Sequence, residues 1–164
     1  MRALVVFESL WGNTEQVARA VAAGLGESAE VEVVDVREAP ALPDGVDLVV
    51  AGGPTHAFSM TRASTRADAV KQGAPHGTGE PGLREWLEAQ PRTGHHRIAT
   101  FDTRVTKVHR LPGSAARSAA RSARKHGYAV ATEPTSFYVD DTAGPLADGE
   151  LERATAWGRE LARL

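Results

Sequence analysis

Short and nearly uninterrupted apolar runs, separated by helix-like segments, constrain the fold of this chain more than any other feature. The runs are rich in β-branched residues and lie at Ala3–Phe7, Val31–Val36, Asp47–Ala51, Ile98–Phe101 and Tyr128–Thr132. Continuous rather than alternating apolar runs are typical of strands that are covered on both faces. Because helical segments separate most of the runs, the pattern predicts a parallel sheet with right-handed crossovers.

Helical periodicity is clearest directly after the first run. Asn13 is expected to cap this helix, with Gln16 three places on as its capping-box partner, and Gly26 is expected to end it. The remaining expected helices are a short one at Ser64–Gln72, one at Leu83–Ala89, one from Pro112 to about His126, and a last one capped by Asp148.

The connection between the third strand and Leu83 is unusually long for a link between a strand and a helix. It spans about thirty residues, whereas such links usually have fewer than ten. Its second half, Gly73–Gly82, is rich in glycine and proline. We expect a connection of this length to serve a site.

The overall composition narrows the class of protein. A chain of 164 residues is expected to form a single domain over positions 1–164. Its net charge of −2 indicates neither nucleic-acid binding nor a strongly acidic electron carrier. The absence of cysteine excludes disulfides and thiolate chemistry. No apolar run is long enough for a signal peptide or for membrane insertion, so we expect a soluble, cytoplasmic protein.

Three segments follow the carboxyl ends of predicted strands, where open parallel sheets bind ligands: Glu8–Thr14, Gly52–Met60 and Asp102–Leu111. The first places hydroxyls, Gly12 and free amides at the start of a helix, an arrangement that holds a phosphate without lysine or arginine. Local chemistry alone is equally compatible with a simple capped turn. The segment matches neither GxxxxGK[ST] nor GxGxxG, which disfavours nucleotide hydrolysis and a dinucleotide site.

Residues 5–21, VVFESLWGNTEQVARAV, resemble the FMN phosphate-binding signature of the flavodoxin family. The run AGGPTH at positions 51–56 is similar to the first flavin loop of that family. The resemblance covers essentially the whole chain. It implies an α/β protein with the three-layer α/β/α flavodoxin-like fold, built on a five-stranded parallel sheet of order 2-1-3-4-5.

The same resemblance implies a set of FMN-binding residues. Those expected to hold the phosphate are Ser9, Leu10, Trp11, Gly12, Asn13 and Thr14, and those expected to line the flavin ring are Pro54, Thr55, His56, Ala57, Phe58, Asp102, Thr103, Arg104 and Val105. It further implies a flavoprotein that transfers electrons between a reductase and an acceptor protein. Such a carrier needs no catalytic residue, no metal, no nucleic acid and no membrane insertion.

The sequence departs from the family pattern around the expected flavin ring. The second flavin loop lacks the tyrosine or tryptophan that electron-carrier flavodoxins usually place there, so the ring is expected to be open on one face or covered by the Arg62–Gly82 segment. The expected neighbours also include several cationic side chains, which predict a raised potential for the second one-electron reduction: Arg62, Arg66, Arg104, Lys107 and His109.

These departures leave two other functions open. The first is an FMN-dependent reductase that passes electrons from NADH or NADPH to a quinone or another small acceptor. The second is a flavodoxin-shaped module that has lost its flavin and acts in binding or regulation.

Other features each allow two interpretations. Trp11 either shields the phosphate or contacts the ribityl chain of the flavin, or it packs on its neighbours. His56 either donates to the flavin or to a substrate, or it is simply solvated. The pair His95-His96 invites a metal interpretation, but no third ligand stands at suitable spacing. Basic residues that recur along the expected fourth helix form either a solvated face or a docking stripe for an acidic partner: Arg117, Arg121, Arg124 and Lys125.

Overall fold

The structure is a computed structural model, and it describes residues 1–42, 44–76, 81–92 and 96–164. Within these residues the sheet has six strands: β1 (Arg2–Phe7), β2 (Glu30–Asp35), β3 (Leu48–Pro54), β4 (Arg97–Val105), β5 (Ala129–Val130) and β6 (Thr135–Val139). The helices are α1 (Asn13–Leu25), α2 (Ala63–Lys71), α3 (Leu83–Glu88), α4 (Ala115–Lys125) and α5 (Glu150–Leu161), with a 3₁₀ turn at Thr106–Val108.

The sheet is parallel throughout, with the order β2-β1-β3-β4-β5, as the resemblance implied. Helices cover both of its faces. On one face, β1, β3 and β4 pack against α1 and α5 through a core that includes Val5, Val21, Phe101 and Trp157. On the other, the same strands pack against α3 and α4. The predicted three-layer α/β/α fold is confirmed.

The sequence predicts one strand at Tyr128–Thr132 beside β4, but the structure has two short strands there. β5 pairs with the start of β4 and β6 pairs with its end, so both occupy the same edge of the sheet. Pro134, which has no N–H to donate, lies in the interruption between them. The sequence pattern missed β6, whose Phe137 is fully buried and packs against Trp157.

Two expected helix caps are wrong. The residue that caps α1 is Gly12, with φ at +93°, and Asn13 is the first residue of the helix. Gly149, with φ at +82°, takes the same position before α5 in place of Asp148. In both cases a glycine in the left-handed region sets the direction in which the chain enters the helix.

Candidate functional site

A cleft opens at the carboxyl ends of β1, β3 and β4, where the strand order reverses. Four stretches of the chain meet there. The residues that line it are Leu10, Trp11, Asn13, Thr14, Pro54, Thr55, His56, Thr103, Arg104, Val105, Val139 and Thr142. The topology thus gathers residues that are far apart in sequence into one concave surface, which is where open α/β sheets bind ligands.

The loop between β1 and α1 wraps around the start of the helix. The Glu8 amide donates to the Gly52 carbonyl at 2.9 Å, which keeps the chain beside β3 past the end of β1. Ser9 Oγ then accepts from the amides of Gly12 and Glu15, at 3.1 and 3.2 Å. The Ser9 hydroxyl therefore stabilises the loop from within, and Ser9 is not among the residues that line the cleft.

Five backbone amides of this loop make no hydrogen bond within the described residues, those of Ser9, Leu10, Trp11, Asn13 and Thr14. The last four belong to residues that line the cleft. Unpartnered amides at a helix N-terminus carry a partial positive charge and bind anions, phosphates above all. The loop thus has the donor set that a phosphate monoester requires.

The side chain of Asn13 fastens this loop to a distant part of the chain. Its Nδ2 donates to the Ala143 carbonyl at 3.2 Å. Gly144 lies so close that an added Cβ would be 2.7 Å from Asn13 Oδ1, and its φ is +103°. The segment after β6, which the sequence did not identify as part of the site, therefore supports the first loop.

Hydroxyl groups connect the walls of the cleft. Thr14 Oγ1 and Thr103 Oγ1 are 2.7 Å apart and share a hydrogen bond between α1 and β4. Thr55 Oγ1 accepts from the Ala115 amide at 2.8 Å, which attaches the end of β3 to the start of α4. These contacts fix the relative positions of the three segments that the sequence singled out.

Arg104 is the cation that lines the cleft. Only 7% of it is exposed, and its Nη2 donates to the carbonyls of Val108 and Leu111 at 2.7 and 3.2 Å. Its Nε is buried and has no hydrogen-bond partner, and the same is true of Nε1 of Trp11, which also lines the cleft. Two buried N–H donors without acceptors are costly unless a ligand supplies them.

The turn after β3 has an unusual backbone. Ala57 and Phe58 have φ values of +46° and +63°, and a bridge between His56 and Ser59 closes the turn. Ala57 and Phe58 are exposed and lie outside the cleft lining. Burial, together with the nearby Arg66 guanidinium, lowers the pKa of His56, so its imidazole is neutral at pH 7.

Asp102 lies beneath the cleft and does not line it. It belongs to β4, as do the other three residues of the expected second flavin loop, so the turn itself begins only at Thr106. Its Oδ2 accepts from the Ala116 amide at the start of α4 at 2.9 Å. Burial raises the pKa of this carboxyl group.

The predicted site residues therefore divide into two groups. Those that line the cleft are Leu10, Trp11, Asn13, Thr14, Pro54, Thr55, His56, Thr103, Arg104 and Val105, and those that lie behind or beside it are Ser9, Gly12, Ala57, Phe58 and Asp102. The structure adds Val139 and Thr142, which lie at the end of β6 and just after it. If β6 had been recognised in the sequence, Thr142 would have been a candidate, because it is a polar residue just after the end of a strand.

A buried ionic network lies behind the first loop. Glu8 accepts from the Thr61 hydroxyl at 2.6 Å and from the Leu83 amide at 2.8 Å. Arg66, only 3% exposed, donates to Glu85 at 2.6 Å and lies 3.9 Å from Glu8. Burial raises the pKa of Glu8 in spite of these partners. This network connects the end of β1 to both α2 and α3.

The described part of the Arg62–Gly82 segment packs on the first loop and does not line the cleft. Ala69 and Ala74 form a small apolar cluster with Leu10 and Trp11. The His76 amide donates to the Leu10 carbonyl at 3.1 Å. Trp11 thus packs on its neighbours and lines the cleft at the same time.

Two further sequence features can be placed. His95 lies outside the described residues, and His96 Nδ1 is 3.0 Å from the Val46 carbonyl. Within residues 1–42, 44–76, 81–92 and 96–164 there is no cluster of three potential metal ligands. Among the described helices, none combines the length and the apolar character that crossing a bilayer requires.

Comparison with known proteins agrees with this architecture. Neither a protein-family model nor a curated protein sequence matches the chain. Among solved structures, it is similar to a flavodoxin from the domain Archaea, with 20% identity, a TM-score of 0.69, and 99% and 97% of the two chains covered. Flavodoxin 1 from Bacillus cereus gives 19% identity, a TM-score of 0.67, and coverage of 99% and 98%. A protein named flavone reductase gives 16%, 0.59, and coverage of 99% and 62%. The fold of this chain is therefore flavodoxin-like.

Proposed function

We propose that this chain is a single flavodoxin-like domain that binds FMN noncovalently and transfers electrons between a reductase and an acceptor protein. The observation that carries the proposal is the set of four unpartnered amides, at Leu10, Trp11, Asn13 and Thr14, at the start of α1. Solved structures with a similar fold are named flavodoxins, and this chain combines that fold with the loop just described, which supports the proposal.

The first loop suits the phosphate of FMN. A phosphate monoester carries a charge between about −1.5 and −2 at pH 7. The four amides and the positive end of α1 balance this charge, so the site needs no lysine or arginine. Gly12 gives the loop its left-handed turn, and Ser9 holds that turn in place through two amides.

The rest of the cleft suits the flavin ring. When bound, FMN supplies redox chemistry in one-electron or two-electron steps. Pro54, Thr55 and His56 form one wall of the cleft, and the stretch Thr103–Val105 forms another. The buried Arg104 Nε offers a charged donor that favours an electron-rich ring, whereas the neutral His56 adds no charge.

A reductase of small acceptors is the second candidate function. Among the described residues that line the cleft, only Trp11 and His56 have a flat ring, and no described residue of the Arg62–Gly82 segment lines it. A flavin face left open in this way admits a nicotinamide or a quinone. One structural neighbour carries the name flavone reductase, which is consistent with this candidate.

FMN and riboflavin titrations test the proposal, because the two flavins differ in the phosphate. We expect Thr14→Ala and Gly12→Val to weaken FMN binding about tenfold or more while leaving riboflavin binding nearly unchanged. Thr155→Ala, which removes a hydroxyl bonded within α5, is the matched control and should change neither affinity. Circular dichroism verifies that each variant is folded.

Three outcomes separate the candidate functions. No flavin uptake by the folded wild-type protein would refute the proposal and favour a flavin-free module. Unchanged FMN affinity in both loop variants would place the phosphate elsewhere. Steady-state oxidation of NADH or NADPH with a quinone, without an added reductase, would favour the reductase over the carrier.

A further inference from the structure

The charges of this nearly neutral chain are strongly separated along its sequence. Residues 84–126 include ten Lys or Arg and three Asp or Glu, whereas the rest of the chain includes nine and eighteen. One of the three acidic residues, Asp102, is fully buried. The stretch contains α3, α4 and the turn between β4 and α4, so its positive charge is concentrated on one side of the sheet.

The exposed face of α4 is uniformly basic. At 100° per residue, Arg117, Arg121, Arg124 and Lys125 lie within about 100° of one another around the helix axis. All four are exposed, while the alanines on the opposite side are buried against the sheet. Positive side chains on neighbouring elements extend this surface, which we call the basic face: Arg84, Arg92, Lys107, Arg110, Arg117, Arg121, Arg124 and Lys125.

None of the cations of the basic face forms an ion pair within the described residues. The ion pairs found among the described residues involve cations that lie outside the basic face. Arg84 donates only to the carbonyls of Thr61 and Met60 and to the Ser59 hydroxyl, so its charge stays uncompensated. A second cleft runs between α3 and α4. Four cations line it, Arg84, Arg92, Arg121 and Lys125, together with one exposed carboxylate, Glu88.

Two exposed apolar side chains lie beside the basic face, near the start of α4. Phe58 is 49% exposed and Leu111 is 46% exposed. The turn that carries Phe58 is attached to α4, because Ser59 Oγ donates to Ser118 Oγ at 3.0 Å. Gly113 packs on Phe58, since an added Cβ would be 2.8 Å from the Phe58 carbonyl. Exposed apolar anchors with a charged rim are the usual arrangement of a transient protein interface.

We infer that the basic face, together with Phe58 and Leu111 beside it, is the docking surface for an acidic redox protein. This inference rests on the proposed electron-transfer function and specifies the chemistry of the partner. The partner has a cluster of carboxylates around an apolar contact area. Complementary charge orients it so that its redox centre meets the cleft side of the molecule, and the attraction raises the association rate.

The distribution of charge favours a protein over a nucleic acid or a membrane. A long polyanion extends beyond the basic face and meets the acidic majority of the chain, which repels it. The exposed apolar side chains beside the basic face have no counterpart in a phosphate backbone. A compact acidic protein satisfies both the charges and the exposed Phe58 and Leu111.

Small charged oxidants report the sign of the electrostatic potential at the surface from which the reduced, FMN-loaded protein donates its electrons. The protein is reduced and then reoxidised by anionic Fe(III)-EDTA or by cationic hexaamminecobalt(III), at ionic strengths from low to high. We expect the anionic oxidant to react about tenfold more slowly at high salt, despite the net charge of −2. In the variant Arg117→Glu/Arg121→Glu, this salt dependence should vanish or reverse.

A matched control changes the net charge by the same amount elsewhere. Arg19 and Arg163 are exposed and lie on α1 and beyond the end of α5, on the other side of the sheet. Arg19→Glu/Arg163→Glu should retain the salt dependence of the wild type. If the two double variants behave alike, net charge explains the rates and the inference is wrong.

A second arm needs no flavin and therefore separates this inference from the proposed function. The probes are a short synthetic Glu-rich peptide containing leucine, a short DNA duplex and anionic phosphatidylserine vesicles. We expect the peptide to bind, Arg117→Glu/Arg121→Glu to weaken it about tenfold, and Leu111→Ser to weaken it without altering its salt dependence. Preferential binding of DNA or vesicles would overturn the assignment to a protein, as would peptide binding that neither variant changes. Self-association at low salt, measured by sedimentation, would identify a second copy as the occupant instead.

Discussion

Replacing Arg66 by methionine is expected to destabilise the protein far more than breaking an exposed ion pair of the same length. Arg66 is 3% exposed and lies 2.6 Å from Glu85 and 3.9 Å from Glu8. Removing one member of a buried ion pair costs about 3–5 kcal/mol, because the remaining charge is left without compensation. Glu85 is 30% exposed and regains some solvation, so we expect about 3 kcal/mol. For a chain of this size, that corresponds to a fall in Tm of roughly 6 to 12 °C.

Urea unfolding of Arg66→Met and Arg19→Met provides the comparison. Arg19 lies 2.7 Å from Glu15, but the two side chains are 63% and 34% exposed. We expect this pair to contribute about 0.3–0.5 kcal/mol. Methionine keeps much of the side-chain volume in both variants, so the difference between them reports the effect of burial on the ion pair.

The pH dependence of the stability loss in Arg66→Met shows whether Glu8 is the charge that is left without compensation. Burial already raises the pKa of Glu8, and losing Arg66 raises it further. A carboxyl group whose pKa is raised on folding stabilises the folded state at low pH and loses that contribution as the pH rises. The deficit of Arg66→Met should therefore shrink as the pH falls towards 5, and Glu8→Gln should rescue part of it at pH 7. A deficit no larger than that of Arg19→Met, or one independent of pH, would refute this reasoning.

Two further predictions concern the cleft and the residue beneath it. In the FMN-loaded protein, Arg104→Gln should lower the potential of the second one-electron reduction by about 60 mV, equivalent to about 1.4 kcal/mol, because a buried cation is lost. Potentiometric titration measures this shift, and Arg62→Gln, an exposed position outside the cleft, should produce a much smaller one. Asp102→Asn retains an acceptor for the Ala116 amide but removes a carboxyl group whose pKa burial raises. Relative to wild type, this variant should gain stability as the pH rises above about 4. Unfolding free energies measured at a series of pH values would contradict this if the relative stability fell instead.

Much of the fold follows from the sequence, because continuous apolar runs and helical periodicity are local signals of a buried parallel sheet. The first loop could also be predicted as a candidate site from the sequence, since Gly12 and the hydroxyls of Ser9 and Thr14 follow closely after the first strand. The sheet order came from the resemblance and is confirmed. FMN binding by these residues remains a prediction.

The errors arise where long-range contacts override local patterns. Asn13 has the right type and spacing for a cap, but Gly12 takes the cap position, and Asn13 Nδ2 instead donates to the Ala143 carbonyl, far away in sequence. Asp102 and Arg104 look like loop residues because they are charged. They lie within β4, where the Ala116 amide donates to Asp102 Oδ2 and the carbonyls of the following turn accept from Arg104 Nη2. Partners of this kind cannot be read from spacing.

The ionic network behind the first loop was missed for the same reason. Arg66 was expected near the flavin as a free cation, yet the structure pairs it with Glu85 and places it beside Glu8. Its charge is therefore largely compensated, and of the five expected cations only Arg104 lines the cleft. The expectation of a raised potential now depends mainly on that residue.

The contact between Asn13 and the Ala143–Gly144 turn also has a consequence for synthesis of the chain. The two partners of the hydrogen bond are 130 positions apart. At a translation rate of about 10 residues per second, roughly 13 seconds separate their appearance from the ribosome. A nascent chain that has already formed the first loop still lacks this support, so full stabilisation of the loop has to wait until the segment after β6 has emerged.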